Sequence, residues 1–179
     1  MKLKMLGVFA AGLIGASVTG CAPPPTPAAA PGTISCGGGS GTLDVSPAVD
    51  QVAKPVTYSL VGPSSTAGCN DGTGTGITSA RFDSLAVTFP SLSCFVAVGT
   101  DGSGPAVVRW SDGTTSNATA TATLQAAYGG TLDIELTSGH FAGTTGSATF
   151  VALPEQGSCF GEGISRESIT LGNFTLNRA

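Results

Sequence analysis

One side chain in this sequence is suited to act as a general base near neutral pH. His140 is the only histidine among 179 residues, and a serine nucleophile needs a base of this kind within hydrogen-bond distance. His140 lies in the segment SGHFAG, which has glycines on both sides of it, and the chain has no G-x-S-x-G motif to present a serine. We therefore interpret His140 as a residue of a surface turn, and we predict that the protein is not an enzyme.

The acidic residues Asp133 and Glu135 are the next candidates for chemistry. They fall on the same face of one predicted strand, where two carboxylates could act as acid and base. They alternate with three apolar residues, Leu132, Ile134 and Leu136. Because this alternation is typical of a strand with one buried face and one wet face, we interpret both carboxylates as solvated surface groups.

The sequence lacks the spacings that metal ions and phosphates need. Three turn signals lack the D-x-[DN]-x-[DN]-G-x₅-E spacing of a calcium loop: Asn70-Asp71-Gly72, Asp101-Gly102 and Asp112-Gly113. The run GTGTG at 72–76 lacks the G-x-G-x-x-G spacing of a phosphate-binding loop. One histidine, with the cysteines better explained as disulfides, leaves zinc without ligands. We predict no metal site and no cofactor.

A run of small residues is the most suggestive binding feature. Alanine alternates with other residues over 117–124, a period of two that predicts a strand rather than a helix. If these alanines face the interior of a barrel, they leave room for a ligand. The alternative is that large side chains fill the space, such as Phe82, Phe150 and Trp110. The candidate ligand-binding residues are Trp110, Ala118, Ala120, Ala122, Tyr128, His140 and Phe141.

The elements that must position these residues are predicted to be β-strands. The body of the chain consists of short alternating runs bounded by turn residues, as in KPVTYSLVG and GTLDIELTSG. The alternation slips near Asp83, which predicts a bulge there. Asp112-Gly113 between two runs is a hairpin signal, and successive hairpins make a meander. We predict an all-β fold, an antiparallel meander that closes into a β-barrel of about eight strands, with a two-sheet β-sandwich as the alternative.

The first residues have the layout of an export signal. Lys2 and Lys4 precede an apolar run that is shorter than the roughly 20 residues of a membrane-spanning helix. The segment Val18-Thr19-Gly20-Cys21 resembles the lipobox of bacterial lipoproteins. The resemblance implies that Cys21 carries a diacylglycerol, becomes the first mature residue and anchors the exported protein to the outer face of the bacterial cell membrane.

The segment after Cys21 is rich in proline and would serve as a spacer. Such segments favour extended polyproline II at about 3.1 Å per residue. We accordingly divide the chain into a signal peptide at 1–20, a lipidated cysteine and tether at 21–34, and a single β-barrel domain at 35–179.

The cysteine count agrees with lipidation. Setting Cys21 aside from the five cysteines leaves an even set for two disulfides in an oxidising compartment: Cys36, Cys69, Cys94 and Cys159. Four cysteines allow three pairings. If residues near 36–46 and 55–69 form the first antiparallel pair, Cys36 falls opposite Cys69, which leaves Cys94 for Cys159.

The charge of the mature chain disfavours anionic partners. After Cys21 the chain has 5 basic and 11 acidic residues, a formal charge of −6. Nucleic acid and acidic headgroups are bound through basic patches, so we predict no nucleic-acid partner.

Residues 36–176 resemble a loosely defined set of exported four-cysteine β proteins that are common in actinobacteria. The matching features are cysteines and turns: Cys36, the ITSARF strand after Cys69, Cys94, the RWSDGTTS hairpin, the TSGHFAGTTG turn and Cys159. The resemblance implies an exported β fold and no particular site.

The function expected from the sequence is that of a lipid-anchored module of the cell envelope, which acts by binding or as a structural surface element. Its partners would be the membrane, through Cys21, and an envelope component or a small apolar ligand; the oligomeric state is left open. A first alternative is a carrier of a small apolar ligand inside the barrel, and a second is an enzyme of unrecognised type. A large, enclosed apolar cavity would favour the carrier, a cleft with convergent polar groups around His140 would favour the enzyme, and a filled core with neither would favour the module.

Overall fold

The computed structural model describes residues 32–95, 98–126 and 128–177. The predicted signal peptide and the lipidation site Cys21 lie outside these residues. The described residues form eleven strands: β1 Thr33–Cys36, β2 Ser40–Val49, β3 Lys54–Leu60, β4 Ala67–Asp71, β5 Ser79–Leu92, β6 Asp101–Trp110, β7 Thr115–Ala126, β8 Gly129–Gly139, β9 Thr145–Gln156, β10 Ile164–Leu171 and β11 Phe174–Asn177. Within the same residues, no helix is long and apolar enough to cross a membrane.

The strands form one antiparallel sheet that closes on itself. Six of the strands are halves of three longer strands. The consecutive strands β1 and β2, for example, pair with β4 and β3 on one side and with β11 and β10 on the other. If β1–β2, β3–β4 and β10–β11 are each counted as one strand, eight strands follow one another around a ring, and the last strand pairs with the first. The predicted all-β antiparallel meander is confirmed, and its strands close into one ring instead of the two separate sheets of a sandwich.

The up-and-down order gives the ring two different ends. The turns that follow β2, β5, β7 and β9 lie together at one end, which we call the rim. There the Cys94 N–H donates to the Asp50 carbonyl at 2.8 Å, which ties the turn after β5 to the turn after β2. The opposite end holds the turns after β4, β6 and β8, and Gly32 also lies there, because its N–H donates to the Gly72 carbonyl at 3.1 Å.

Alternation of side chains around the ring places the core inside it. In β7, every second residue from Ser116 to Ala122 is buried, and in β8 and β9 the buried residues alternate in the same way. The three inward alanines of β7 lie beside Leu132, Ile134 and Leu136 of β8. Glycine allows close contact elsewhere: a Cβ on Gly104 would lie 1.9 Å from the Ala86 carbonyl oxygen. The alternating burial in β7 confirms the period of two that was predicted for residues 117–124.

The predicted slip near Asp83 is a bulge in the structure. The register between β5 and β6 shifts between Phe82 and Ser84, so that Asp83 has no direct partner across the pair. Its carboxylate accepts hydrogen bonds from Arg81, at 3.0 Å, and from Arg109. These two ion pairs occupy the outer surface, where the bulged residue is half-buried.

Both predicted disulfides are present. Cys36 and Cys69 face each other across the β1–β4 pair, and Cys94 and Cys159 join the turns after β5 and β9 at the rim. The assumed hairpin is also correct, since β2 and β3 pair around the turn at 50–53. Disulfides persist in oxidising compartments, so these bonds fit an exported protein.

Candidate ligand-binding cavity

A cavity of about 90 Å³ lies inside the rim half of the ring. Its walls are mainly apolar side chains on the inner faces of β2, β5, β7, β8, β9 and β10, among them Leu43, Val87, Phe89, Leu132, Phe150 and Ile169. Ala122 and Ala152 also line it, and their small side chains leave space that a larger residue would fill. A second apolar cavity of about 40 Å³ lies towards the other end, and Leu132 borders both.

One acidic side chain lines the larger cavity. Glu167 lies on β10, opposite Leu43 of β2 and Pro154 of β9, and its residue is only 6% exposed. No described residue donates a hydrogen bond to its carboxylate or forms an ion pair with it. Burial raises the pKa of Glu167 to about 7, since the charged form loses its hydration inside the ring.

Three hydroxyl-bearing residues share the cavity wall with Glu167: Tyr58, Ser93 and Tyr128. The Tyr58 ring packs edge-on against Phe89, with their centroids 5.6 Å apart. Burial, with a further contribution from the negative charge of Glu167, raises the pKa of Tyr58. The Tyr58 phenol therefore stays neutral and keeps its proton as a potential hydrogen-bond donor.

The rim above this cavity exposes large apolar side chains from all four turns: Val52, Phe95, Val98, Tyr128 and Phe160. Phe95 and Phe160 are 65% and 80% exposed, and their rings lie edge-on with centroids 6.1 Å apart. Each follows a cysteine of the rim disulfide, and both Cys94 and Cys159 line the cavity. The disulfide thus holds the exposed aromatic pair beside the cavity.

The structure separates the predicted ligand-binding residues into three groups. Ala122 and Tyr128 line the larger cavity. Ala118 and Ala120 are buried on the same face of β7 but do not line it. The remaining three, Trp110, His140 and Phe141, lie at the opposite end of the ring.

Trp110, His140 and Phe141 form an aromatic cluster there. The His140 ring lies 3.9 Å from Phe141 and 6.4 Å from Trp110, measured between centroids. The Trp110 indole N–H donates to the Ser116 hydroxyl at 2.9 Å, and that hydroxyl donates to the backbone carbonyl of His140. The His140 Nε2 atom is buried without a hydrogen-bond partner. His140 Nε2 therefore forms no hydrogen bond with the hydroxyl group of the neighbouring Ser116.

The other acidic candidates from the sequence lie in turns or on the outer surface. Asp133 and Glu135 are exposed on β8. Although desolvation acts to raise the pKa of Asp71, hydrogen bonds from Thr73, Thr75 and the Gly76 N–H lower it well below its usual value. The Asp71 carboxylate thus organises its own turn, and no group of three potential metal ligands occurs in the described part of the chain.

Sequence reasoning missed Glu167 and Tyr58 as site residues. The signal was present in SRESITL, where Glu167 shares its phase with the apolar residues Ile169 and Leu171. Tyr58 likewise alternates in phase with Val56 and Leu60. A carboxylate on the apolar phase of a strand marks a buried charge that needs an explanation.

Comparison of the chain with protein-family models, with curated proteins and with solved structures gave no match. The site must therefore be interpreted from its own geometry.

Proposed function

We propose that this domain binds a small, mainly apolar molecule inside the rim half of the ring, as the carrier part of an exported lipoprotein. The observation that carries the proposal is the cavity of about 90 Å³, whose apolar wall contains one buried carboxyl group without a partner among the described residues. A purely structural module has no need for this arrangement, because burying an unpaired carboxyl group destabilises the folded state. Binding sites for small molecules commonly combine apolar walls with a few polar groups.

The volume of the cavity sets the size of the ligand. An engineered protein cavity of about 150 Å³ holds benzene, which has six carbon atoms. The present cavity is about 90 Å³, so it suits a molecule of about four non-hydrogen atoms, or the end of a longer one. At no more than about 1.5 kcal/mol per non-hydrogen atom, a ligand of about four such atoms binds no more tightly than about tens of micromolar.

The arrangement of the ring supports a carrier held away from its anchor. Gly32, where the described chain begins, lies at the end opposite the rim. With a lipid at Cys21 and a tether at 22–31, the rim and its cavity would face away from the tether. The two disulfides support the exported location that this proposal requires.

Titration with 1-butanol, followed by amide NMR, tests the proposal. We expect saturable chemical-shift changes at Ala122, Leu132 and Phe150, and none of comparable size at Trp110. The Ala122→Leu variant should abolish these changes, since its three added carbon atoms occupy the cavity. The matched control is Ala126→Leu on the same strand, because Ala126 is exposed and does not line the cavity.

The proposal is wrong if wild-type protein shows no saturable changes at the cavity. It is also wrong if Ala122→Leu binds 1-butanol as the wild type does. If the wild-type protein binds 1-butanol as expected, native mass spectrometry of protein extracted from its own membrane should identify the natural ligand as a co-purifying mass.

A further inference from the structure

We propose that the cavity selects ligands that carry a protonated amine, with the ammonium group paired to the Glu167 carboxylate and the alkyl or aromatic body in the apolar remainder. This inference rests on the proposed function, because it names the chemical class of the ligand. It starts from one question: what compensates the buried carboxyl group of Glu167?

The described basic side chains are all engaged elsewhere. Lys54 pairs with Asp50 at 2.6 Å, and Arg166 pairs with Asp44 at 2.8 Å. Arg81 and Arg109 both pair with Asp83 at the bulge. None of these four basic residues lines the cavity. Among the described residues, no basic side chain compensates the charge of Glu167, so a bound cation is the counter-charge that we propose for the ionised carboxylate.

The chemistry of the wall favours an organic cation over a metal ion. Calcium takes six to eight oxygen ligands, and magnesium requires octahedral coordination. Among the described residues of this wall, Glu167 is the only one with a carboxylate, and its neighbours are mainly apolar. An alkylammonium ion has three N–H donors at its head, for which the wall offers the Glu167 carboxylate and the hydroxyl groups of Tyr58 and Tyr128, and the apolar remainder of the wall suits its body.

Aromatic rings add a second attraction for a cation. Four rings line the cavity, those of Tyr58, Phe89, Tyr128 and Phe150. The faces of such rings attract ammonium groups, most strongly where water is excluded. An anion would instead meet the negative charge of Glu167.

Proton linkage follows from the same geometry. From β3, Tyr58 lies near Glu167, and its raised pKa keeps the phenol neutral. On β2 and β9, the charged residues Asp44 and Glu155 are exposed and do not line the cavity. Because burial raises the pKa of Glu167 to about 7, an amine that needs the carboxylate must displace a proton below this pH. Its affinity should fall about tenfold per pH unit below pH 7 and level off above it.

Three probes with the same four-carbon chain separate the effect of the head group: n-butylammonium, 1-butanol and butyrate. A primary alkylamine resembles lysine, whose pKa is about 10.4, so it is protonated at pH 8. At pH 8 we expect n-butylammonium to bind at least about tenfold more tightly than 1-butanol, and butyrate not to bind detectably. Glu167→Gln should remove the preference for the amine over 1-butanol.

The matched control is Glu135→Gln, which removes the same charge from the exposed face of β8 and should change neither affinity. If Glu167→Gln does not fold, the wild-type protein still tests the inference. Calorimetry with n-butylammonium at pH 6.5, in two buffers of different ionisation enthalpy, should reveal release of between zero and one proton, and the affinity should follow the pH dependence given above.

The two levels of the proposal fail differently. If 1-butanol binds in the cavity but n-butylammonium binds no better, or if its affinity does not change between pH 6 and 8, the amine inference is wrong and the carrier proposal stands. If none of the three probes binds to the wild-type protein, both are wrong.

Discussion

At the residue scale, Glu167 lowers the stability of the folded protein, because its side chain is buried among mainly apolar residues. It occupies a position on β10 where alternation calls for an apolar side chain, as at Ile169. The folded protein must therefore hold either a neutral acid or a poorly solvated carboxylate, depending on pH. Natural sites that bind charged ligands commonly have this property, since groups arranged for a ligand are not optimal without it.

Glu167→Gln should stabilise the protein at alkaline pH. The pKa of Glu167 is raised from 4.5 to about 7 in the folded state, so the folded protein binds a proton at this carboxylate more tightly than the unfolded chain does. The wild-type free energy of unfolding should therefore fall between about pH 4.5 and 7, by up to about 3 kcal/mol, and its Glu167 component should be constant outside this window. The variant should lack this component, so that the gain is close to zero at pH 4 and largest at pH 8.

Urea unfolding at both pH values measures this difference. Glu135→Gln serves as the control, because the exposed Glu135 carboxylate lies on the outer face of β8. A variant that is equally stabilised at pH 4 and pH 8 would show that the effect is one of packing and not of the Glu167 charge.

At the scale of elements, the two disulfides have different positions relative to the cavity. Cys36–Cys69 joins two neighbouring strands at the end of the ring away from the rim. Cys94–Cys159 joins two rim turns, and both of its residues line the larger cavity. We therefore expect the two disulfides to stabilise the fold to a similar extent and to affect ligand binding differently.

Replacing each cysteine pair by serine should separate these effects. The sequence separations are 33 and 65 residues, so each bond should contribute about 4 kcal/mol by restricting the unfolded chain. We expect both double variants to lose comparable stability in urea unfolding. Only Cys94→Ser/Cys159→Ser should weaken 1-butanol binding, by about tenfold or more, because it frees the rim turns beside the cavity. Equal binding by both variants would contradict a role for the rim disulfide in the site.

At the scale of the whole molecule, closure of the ring separates the attachment end from the binding end. The last strand pairs with the first, so the sheet has no open edge along the ring, and the two ends differ in chemistry. The rim exposes Phe95 and Phe160, whereas Gly32 lies at the other end. A lipid at Cys21 would connect to the domain through that other end.

Cys21→Ser should release the protein from the membrane into the medium. The predicted thioether-linked lipid is the only strong anchor in our proposal, and two or more acyl chains are needed for stable attachment. Fractionation of cells that express the variant measures the outcome, which should be nearly complete loss from the membrane fraction. Cys36→Ser/Cys69→Ser is the control, since it removes two cysteines but leaves Cys21. Retention of the Cys21→Ser protein on the membrane would overturn the lipobox interpretation.

Local patterns in the sequence predicted the strands, the turns and their order correctly. Alternation over 117–124, the slip at Asp83 and the turn at Asp112-Gly113 are patterns within a few residues, and the structure has the corresponding strand, bulge and hairpin. The pairing of Cys36 with Cys69 followed from a single hairpin, which is also a short-range feature. Strand geometry follows these signals because side-chain direction alternates along any extended chain.

The position of the cavity inside the ring, and the burial of Glu167 beside it, depend on long-range packing. Ala118 and Ala122 belong to one local pattern, yet only Ala122 lines the larger cavity. Cavity volume depends on the side chains that strands distant in the chain bring together, such as Leu43 and Phe150. In the same way, the alternation in SRESITL is enough to place Glu167 on the apolar face of its strand. Its lack of a partner among the described residues depends instead on where the fold places each basic side chain. Long-range packing and electrostatics are sums over the whole fold, so no short segment encodes them.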